Sequence, residues 1–384
     1  MSSRWPGKYV IGLTGNIATG KSVVRKMLEH LGAFGLDADA LSHQAIARGG
    51  PAYTGVVQLF GEWLLSDQGE INRAKLARIV FADPDALAKL EALIHPLVGQ
   101  AVDFLVRRTK ASVAVVEAIK LIESGLANDA DALWVVHVPE SMQEARLIAK
   151  RKLTPAEARQ RIAAQSPQAD KLNRAHVVID NSGTFEDTWN QVQAAFNKII
   201  RPMPAPSRAA TQPLPPPPEA RAVSVRRGMP SDATAIAGFI RQSTSGRVNL
   251  SRADVIANFG DKAYMLAELN GQLAAVAGWK VENLVARVDE MYVTPGAPLA
   301  RLAPPMLDAV ESASRELQSE AALVFVPALL AEAATLALAE RGFAPQAPER
   351  LGVAAWTEAA RESMPPGSSL LFKRLREDRV LRPI

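Results

Sequence analysis

The apolar positions of the first 200 residues follow two alternating patterns. Short, almost continuous apolar runs, typical of buried strands, lie at 8–13, 33–37, 112–119, 132–138 and 175–181. Segments with the three- or four-residue spacing of a helix lie at 21–31, across most of 40–107, and at 140–151, 154–165 and 184–200. Strands that alternate with helices predict an α/β fold with a parallel sheet that helices cover on both faces.

The pattern changes after residue 222. Two strand-like runs flank the turn Asn270-Gly271 and predict an antiparallel hairpin over 263–282. The other predicted elements are strands at 222–228, 286–295, 321–327 and 368–375, and helices at 230–243, 303–317 and 329–341, the last of which ends at Gly342. This order predicts a mixed α+β module.

A proline-rich segment separates the two patterns. Residues 201–221, RPMPAPSRAATQPLPPPPEAR, are polar and have no apolar periodicity. Such a composition favours an extended, semi-rigid linker, although a proline-rich recognition site has the same composition. The sequence therefore predicts three regions: a module at 1–200, a linker at 201–221 and a second module at 222–384.

Composition narrows the class of protein. The 384 residues are 48% hydrophobic and 22% charged, enough to bury two ordinary cores. The absence of cysteine excludes disulfides, thiolate metal sites and cysteine nucleophiles. A net charge of +4 with scattered basic residues does not favour a nucleic-acid partner. No signal peptide or membrane span is predicted, so we expect a cytoplasmic protein; its oligomeric state is left open.

The first candidate site is the loop after the first strand. Gly15-Asn16-Ile17-Ala18-Thr19-Gly20-Lys21-Ser22 matches G-x-x-x-x-G-K-[ST] in full and lies between a predicted strand and a predicted helix. In such a loop the backbone amides surround phosphate oxygens, the lysine reaches the β- and γ-phosphates, and the hydroxyl faces Mg²⁺. The loop predicts a nucleotide but leaves the acceptor undefined, because many enzyme classes use it.

Two carboxylates follow the second strand. Asp37 and Asp39 are two positions apart, at the carboxyl end of a strand that we expect beside the phosphate loop. A carboxylate there can orient or deprotonate an acceptor hydroxyl. Asp39 also precedes an apolar helix, where it is a plausible N-cap, and the spacing leaves both roles open.

Four segments together resemble the dephospho-coenzyme A kinase family over about residues 8–200. They are IGLTGNIATGKS, LGAFGLDAD, GEINRAKLARIVFADPDALAKLEALIHPLV and RKLTPAEARQRIAAQSPQADKLNRAHVVIDNSG. The loop alone is generic, whereas the later segments in this order are specific. The resemblance implies a P-loop kinase with helical substrate and lid insertions. The reaction implied is ATP- and Mg²⁺-dependent phosphorylation of the ribose 3′-hydroxyl of dephospho-coenzyme A.

The resemblance also implies roles for individual residues. Asp39 would be the general base, with Asp37 organising the magnesium shell, and His95 would contact dephospho-coenzyme A. Arg151 would close over the transferring phosphoryl group. Arg161 and Gln165 would lie in the second lid helix and bind substrate, and adenine would lie against Asn181, Ser182 and Gly183.

Simpler explanations exist for three of these residues. Arg151 lies in the basic run AKRK and is also typical of a solvated helix end. His95 precedes Pro96 and is also typical of a core histidine at a helix end. Arg161 has the i,i+4 spacing for an ion pair with Glu157.

The chain departs from the family at two places. Ile119-Lys120-Leu121-Ile122-Glu123 stands where the family has P-L-L-F-E, near the expected substrate site: Ile119 replaces the proline, Lys120 replaces a leucine, and Glu123 is retained. Lys120 has three open interpretations: a partner for an acceptor phosphate, a partner for Glu117, or an exposed lysine. In the loop, Asn16 and Ala18 replace glycines; asparagine tolerates a positive φ, whereas alanine costs little only if its φ is negative.

The second module is similar in element order to the Gcn5-related N-acetyltransferase fold. That family binds the pyrophosphate of acetyl-coenzyme A with a glycine-rich loop, but here the same place reads PGAPLARLAPP. Proline has no N–H to donate, so we expect a degenerate domain with a regulatory or interaction role rather than an active acetyltransferase. For the first module, the alternatives to dephospho-coenzyme A kinase are another small-molecule P-loop kinase and a nucleotide-binding regulator without transfer activity.

Overall fold

The computed structural model describes residues 4–200, 223–282, 284–327 and 331–376. The predicted linker at 201–221 lies outside these ranges. The described residues form two modules, each built around one β-sheet.

The N-terminal module has a five-stranded sheet. Its strands are β1 (Tyr9–Thr14), β2 (Phe34–Asp37), β3 (Val113–Glu117), β4 (Ala132–His137) and β5 (Val177–Asp180). They pair in parallel in the order β2-β3-β1-β4-β5. Each strand lies within two residues of its predicted bounds, and the parallel α/β prediction is confirmed.

Nine helices of this module are described. They are α1 (Lys21–His30), α2 (Ala38–Ile46), α3 (Tyr53–Phe60), α4 (Arg73–Ala82), α5 (Pro84–Arg108), α6 (Glu140–Arg151), α7 (Pro155–Ala163), α8 (Gln168–Asn173) and α9 (Phe185–Ile200). Several begin at side chains that cap the helix: Asn72 accepts from the Lys75 amide, and Thr154 with Glu157 forms a capping box.

The second module has a mixed seven-stranded sheet. Its strands are β6 (Val223–Arg227), β7 (Ala263–Leu269), β8 (Gln272–Glu282), β9 (Val285–Val293), β10 (Ala321–Pro327), β11 (Ala344–Pro345) and β12 (Ser368–Arg374). The order is β11-β12-β10-β9-β8-β7-β6, and only β9 and β10 pair in parallel. Asn270 and Gly271 both have positive φ, as the predicted two-residue hairpin requires.

The helices of this module are α10 (Ala233–Ser243), α11 (Arg252–Asn258), α12 (Leu299–Glu316), α13 (Ala331–Ala339) and α14 (Ala354–Ser363). The α+β prediction is confirmed, but α8, α11, α14 and the short strand β11 were not predicted. Across the described residues, no helix is both long and apolar enough to cross a bilayer.

The largest error in an element boundary concerns α12. Its predicted start was residue 303, after the proline-rich loop, but the helix begins at Leu299 and contains Pro304 and Pro305. Leu302 and Met306 are completely buried four positions apart. Burial of this apolar stripe outweighs the backbone hydrogen bonds that the two prolines cannot donate.

Candidate functional site

The phosphate loop has a backbone that only certain residues tolerate. Gly15 and Gly20 have φ of 148° and 92°. A Cβ on Gly15 would lie 2.4 Å from the Val136 carbonyl oxygen, and one on Gly20 would lie 2.1 Å from Asn181 Nδ2. Both glycines are therefore required by close contacts as well as by φ.

Ala18 carries the remaining backbone strain of the loop. Its φ is +62°, the unfavourable case for an alanine, whereas Asn16 is not among the described residues with positive φ. The replacement of a glycine by Asn16 therefore does not depend on the tolerance of asparagine for positive φ. A left-handed alanine costs on the order of 1 kcal/mol, which the surrounding contacts must offset.

The loop presents free amides at the start of α1. Within residues 4–200, the amides of Ala18, Gly20, Lys21 and Ser22 donate to no protein acceptor. Unpaired amides at a helix N-terminus favour an anion, because both the N–H groups and the helix dipole are positive there. This is the structural property that the sequence motif predicts.

Two further amides of the loop are bound by glutamine side chains. The Ile17 amide donates to Gln165 Oε1 at 2.8 Å, and the Asn16 amide donates to Gln168 Oε1 at 3.0 Å. The prediction for Gln165 was wrong about its element, because α7 ends at Ala163. Its contact is with the nucleotide loop, on the phosphate-donor side.

Lid helices pack directly on the loop. Ile17, only 9% exposed, forms an apolar cluster with Leu147 of α6 and with Ala158 and Ile162 of α7. Loop and lid are therefore joined by apolar packing as well as by hydrogen bonds.

Arg146 and Asn181 hold the loop from its other side. Arg146 Nη1 donates to the carbonyls of Ala18 and Thr19, both at 3.2 Å, and its Nη2 donates to the Asn181 carbonyl at 2.8 Å. Asn181 Nδ2 donates to the Thr19 carbonyl at 2.8 Å. The buried Asn181 side chain thus contacts loop backbone, while Ser182 and Gly183 lie in the adjacent turn before α9.

Lys21 of the loop is buried and interacts with several charged side chains. Its Nζ is 3.3 Å from the Asn16 carbonyl oxygen, and the residue is buried. Burial is the main cause that lowers the pKa of Lys21, and Arg151 lowers it further, against the carboxylates that raise it. Lys21 and Arg151 are therefore close enough to interact electrostatically.

The carboxylates of Asp37, Asp39 and Glu117 all interact electrostatically with Lys21. Asp37 ends β2 opposite Glu117, which ends β3, so their backbones meet at the carboxyl edge of the sheet. Glu117, 3% exposed, accepts from Ser22 Oγ at 2.7 Å and from Arg25 Nε at 2.7 Å. Burial is the main cause that raises the pKa of Asp37, and Glu117 raises it further.

The capping alternative for Asp39 was wrong. Strand β2 continues to Asp37, so Asp37 is the N-cap of α2 and accepts from the Ala40 amide at 2.9 Å. Asp39 lies in the first turn and accepts from the Ile119 amide at 3.1 Å. Burial raises the pKa of Asp39, which this hydrogen bond and Lys21 oppose.

Asp39 lines a cleft together with two other predicted residues. His95 of α5 and Lys120, which follows β3, lie on the same cleft, as do Ser42 and Ser124. Lys120 Nζ pairs with Glu91 Oε1 at 2.8 Å, so the proposed pairing with Glu117 was wrong. The structure thus brings together residues that are 25 to 81 positions apart in sequence.

The segment at 119–123, which departs from the family, is bound by Ser166 and Lys171. Glu123 Oε1 accepts from Ser166 Oγ at 2.5 Å and lies 3.9 Å from Lys171 Nζ. Lys171, 2% exposed, donates to the Ile119 carbonyl at 2.8 Å. The altered segment at 119–123 is therefore held against the lid.

The two lid arginines are exposed. Arg151 is the last residue of α6 and has no ion-pair partner in the part of the chain that is described. Arg161 lies in the last turn of α7, but Glu157 is bound by Thr154 at 2.8 Å, and no described ion pair joins Arg161 to Glu157. Both guanidinium groups are thus available to solvent or ligand.

Sequence reasoning missed Glu117, Arg146 and Lys171 as parts of the site. Glu117 had a usable signal, because it ends an apolar strand of the parallel sheet, where ligands bind. Arg146 and Lys171 lie in helices with ordinary spacing, and only their distant partners distinguish them.

Comparison with known proteins identifies relatives of the first module. The family model for dephospho-CoA kinase matches residues 9–187. The dephospho-CoA kinase of Geobacter sulfurreducens is 42% identical over 192 residues, which cover 49% of this chain and 98% of that protein. That of Aquifex aeolicus is 38% identical over 192 residues, covering 50% and 97%.

Solved structures match each module separately. A structure of TT1252 from Thermus thermophilus covers 50% of this chain and 98% of its own, with 32% identity and a TM-score of 0.46. An acetyltransferase of the GNAT family from Streptococcus pneumoniae covers 40% of this chain and 99% of its own, with 14% identity and a TM-score of 0.32. For the second module, its own strand order rather than this weak likeness defines the fold.

Proposed function

The chain belongs, through its N-terminal module, to the dephospho-CoA kinase family, and we propose that the loop and cleft described above carry out that activity. The reaction transfers the γ-phosphoryl group of ATP to the ribose 3′-hydroxyl of dephospho-coenzyme A, which completes coenzyme A synthesis. One observation supports these residue roles most: the loop has unpaired amides, and its Lys21 interacts electrostatically with Asp39, which lines a cleft together with His95.

The donor side positions ATP. The amides of Ala18, Gly20, Lys21 and Ser22 bind phosphate oxygens, and the Lys21 ammonium neutralises the charge on the β- and γ-phosphates. The turn at Asn181, Ser182 and Gly183 contributes to the adenine site.

The residues around Ser22 fit a magnesium ion. A hydroxyl and a buried carboxylate, Ser22 and Glu117, hydrogen-bond to each other at the start of α1, and Asp37 lies beside them. Such oxygen ligands suit Mg²⁺, which prefers few protein ligands together with phosphates and water. When bound, the ion would neutralise charge on the phosphate oxygens.

Asp39 accepts the proton of the acceptor hydroxyl. One of its oxygens is fixed by the Ile119 amide, and the residue lines the cleft in which His95 and Lys120 contact dephospho-coenzyme A. Its raised pKa brings the carboxylate closer to the basicity that proton transfer requires.

The lid completes the site. Arg151 of α6 and Arg161 of α7 supply positive charge to the transferring group, and the lid excludes water when it closes. Gln165 and Glu123 hold the lid segment against the loop and the acceptor wall. A cytoplasmic location stays a prediction.

An acceptor comparison tests the proposal. ADP release is measured with dephospho-coenzyme A, with nucleosides and with nucleoside monophosphates at equal concentrations. We expect turnover only with dephospho-coenzyme A. Equal or faster turnover of a nucleoside would contradict the acceptor assignment, and nucleotide binding without any turnover would favour a regulatory protein.

A further inference from the structure

The helix that follows the phosphate loop has one face turned toward the second module. Val23, Lys26 and His30 lie on this face of α1, at spacings of three and four residues. A Cβ on Gly260 of the second module would lie 3.4 Å from Val23. We call the three residues the docking face.

Two of these residues make specific contacts across the modules. Lys26 Nζ donates to the Val281 carbonyl of β8 at 3.2 Å. The His30 ring meets the Phe259 ring edge-on, with centroids 5.3 Å apart, and its Nε2 is 3.4 Å from the Phe259 carbonyl oxygen. The second module therefore contacts the docking face through both backbone and aromatic groups.

The docking face is joined to the phosphate site by buried charges. Ser22 and Arg25 both bind Glu117, at 2.7 Å each, and Arg25 also pairs with Glu29. Glu29 Oε2 lies 3.9 Å from Lys26 Nζ. The path from Ser22 to Val281 thus consists of hydrogen bonds and ion pairs inside one helix and its neighbouring strand.

Because Lys26 is buried, the charges along this path depend on the contacts that the second module makes with Lys26. Lys26 is 7% exposed, and burial is the main cause that lowers its pKa. A buried ammonium is costly unless every partner stays in place. Loss of the Val281 carbonyl or of the cover that the second module provides therefore changes how Lys26, Glu29 and Arg25 share their charges.

We propose that the second module is a positioning domain for the kinase: its docking on Val23, Lys26 and His30 is coupled to nucleotide binding at the phosphate loop. The inference rests on the proposed function only for the nucleotide at that loop. Coupling between two sites is reciprocal, so nucleotide binding must also tighten docking.

Hydrogen–deuterium exchange of the full chain tests the reciprocal effect. The probe is ADP with Mg²⁺, which occupies the loop without turnover. We expect slower exchange in peptides that cover 15–22, 255–262 and 278–282. Protection of 15–22 without any change at 255–262 and 278–282 would overturn the inference and leave the kinase assignment intact. No protection at 15–22 would instead contradict the nucleotide site.

A variant pair gives the kinetic counterpart. Lys26→Met removes the charge but keeps most of the side-chain volume, and Lys89→Met changes an exposed lysine of α5 as the matched control. Lys26→Met should raise the KM for ATP several-fold, leave the KM for dephospho-coenzyme A unchanged, and abolish the effect of ADP on residues 255–262. A variant that only loses folded protein would lower kcat and leave both KM values unchanged.

If Lys26→Met fails to fold, Phe259→Leu probes the same contact from the second module. It should also raise the KM for ATP and weaken the effect of ADP on 278–282. Wild-type values for both quantities in Phe259→Leu would overturn the coupling.

Discussion

The two modules each contain a strand–turn–helix unit, from β1 to α1 in the first and from β9 to α12 in the second, and the units differ in which of their turn amides are bonded within the protein. In the turn between β1 and α1, the amides of Gly15, Ala18, Gly20, Lys21 and Ser22 have no acceptor among the described residues. In the turn between β9 and α12, Pro295 and Pro298 have no amide hydrogen. The Ala297 amide bonds to Thr294 at 3.0 Å, and those of Arg301 and Leu302 bond to Pro298 at 2.9 and 3.3 Å.

Only the amides of Gly296, Leu299 and Ala300 in this second turn have no acceptor among the described residues. The glycines differ as well: Gly20 is surrounded closely, whereas a Cβ on Gly296 would meet no atom within 4 Å. The second turn therefore has fewer free donors and no closely surrounded glycine, so a helix N-terminus after a strand does not by itself reproduce the first turn.

The largest expected effect concerns Asp39 of α2, which we propose as the proton acceptor for the reaction at the first turn. Asp39→Asn removes the proton acceptor while retaining shape, so kcat should fall by roughly 10²–10⁴-fold. Steady-state ADP release measures it, with Asp85→Asn, an exposed carboxylate at the start of α5, as the control. An unchanged rate would assign Asp39 a purely structural role through Ile119.

Matched glycine substitutions compare the turns directly. Gly20→Ala forces a Cβ against Asn181 at positive φ, so kcat/KM for ATP should fall by about 10-fold or more as the Thr19 and Asn181 contacts are displaced. Gly296→Ala, at φ of 78° in open space, should cost about 1 kcal/mol of unfolding free energy and leave the KM for ATP unchanged. Equal kinetic effects of the two variants would remove the distinction between the turns.

The pH dependence of kcat reports the environment of Asp39. The active form is the carboxylate, and burial raises the pKa of Asp39 above 3.8. As pH falls through that raised value, kcat should fall about tenfold per pH unit, beginning at higher pH than for an exposed aspartate. The residual activity of Asp39→Asn should lack this limb; if the limb persists there, another group is responsible.

Relief of strain in the first turn should have a smaller effect. Ala18→Gly accommodates the φ of +62° and should raise the unfolding free energy by about 0.5–1 kcal/mol, as measured by urea denaturation. Ala164→Gly is the control, because Ala164 has an ordinary φ of −75° and should not gain stability. Ala18 packs against the apolar cluster of Ile17, Leu147, Ala158 and Ile162. Destabilisation by Ala18→Gly would show that the packing of the alanine methyl stabilises the fold more than the positive φ destabilises it.

The smallest expected effect is the absence of acetyl transfer by the second turn. The chain has no cysteine, so thiol released from acetyl-coenzyme A can be followed without background from the protein. With primary amines as acceptors we expect no release above the uncatalysed rate. Amine-dependent release would show that three free amides suffice, and would contradict the degenerate-domain prediction.

Several features followed from the sequence because they are local. The spacing of apolar residues predicted all five strands of the first sheet, and Asn270-Gly271 predicted the hairpin, because each depends on neighbours in the chain. The motif from Gly15 to Ser22 predicted an anion site for the same reason. The predicted start of α12 was wrong by four residues, because the burial of Leu302 and Met306 depends on the tertiary structure and cannot be deduced from the prolines nearby in the sequence.

The sequence by itself determined the loop, the alternation of strands and helices, and Asp39 as a candidate, and its resemblance to a family added His95 and Arg151. The tertiary structure decided which groups meet them: Glu117 reaches Ser22 across 95 positions, Gln165 reaches Ile17 across 148, and Lys26 reaches Val281 across 255. The physical reason is that periodicity records whether a face is buried, whereas a hydrogen bond or ion pair depends on which distant segment covers that face.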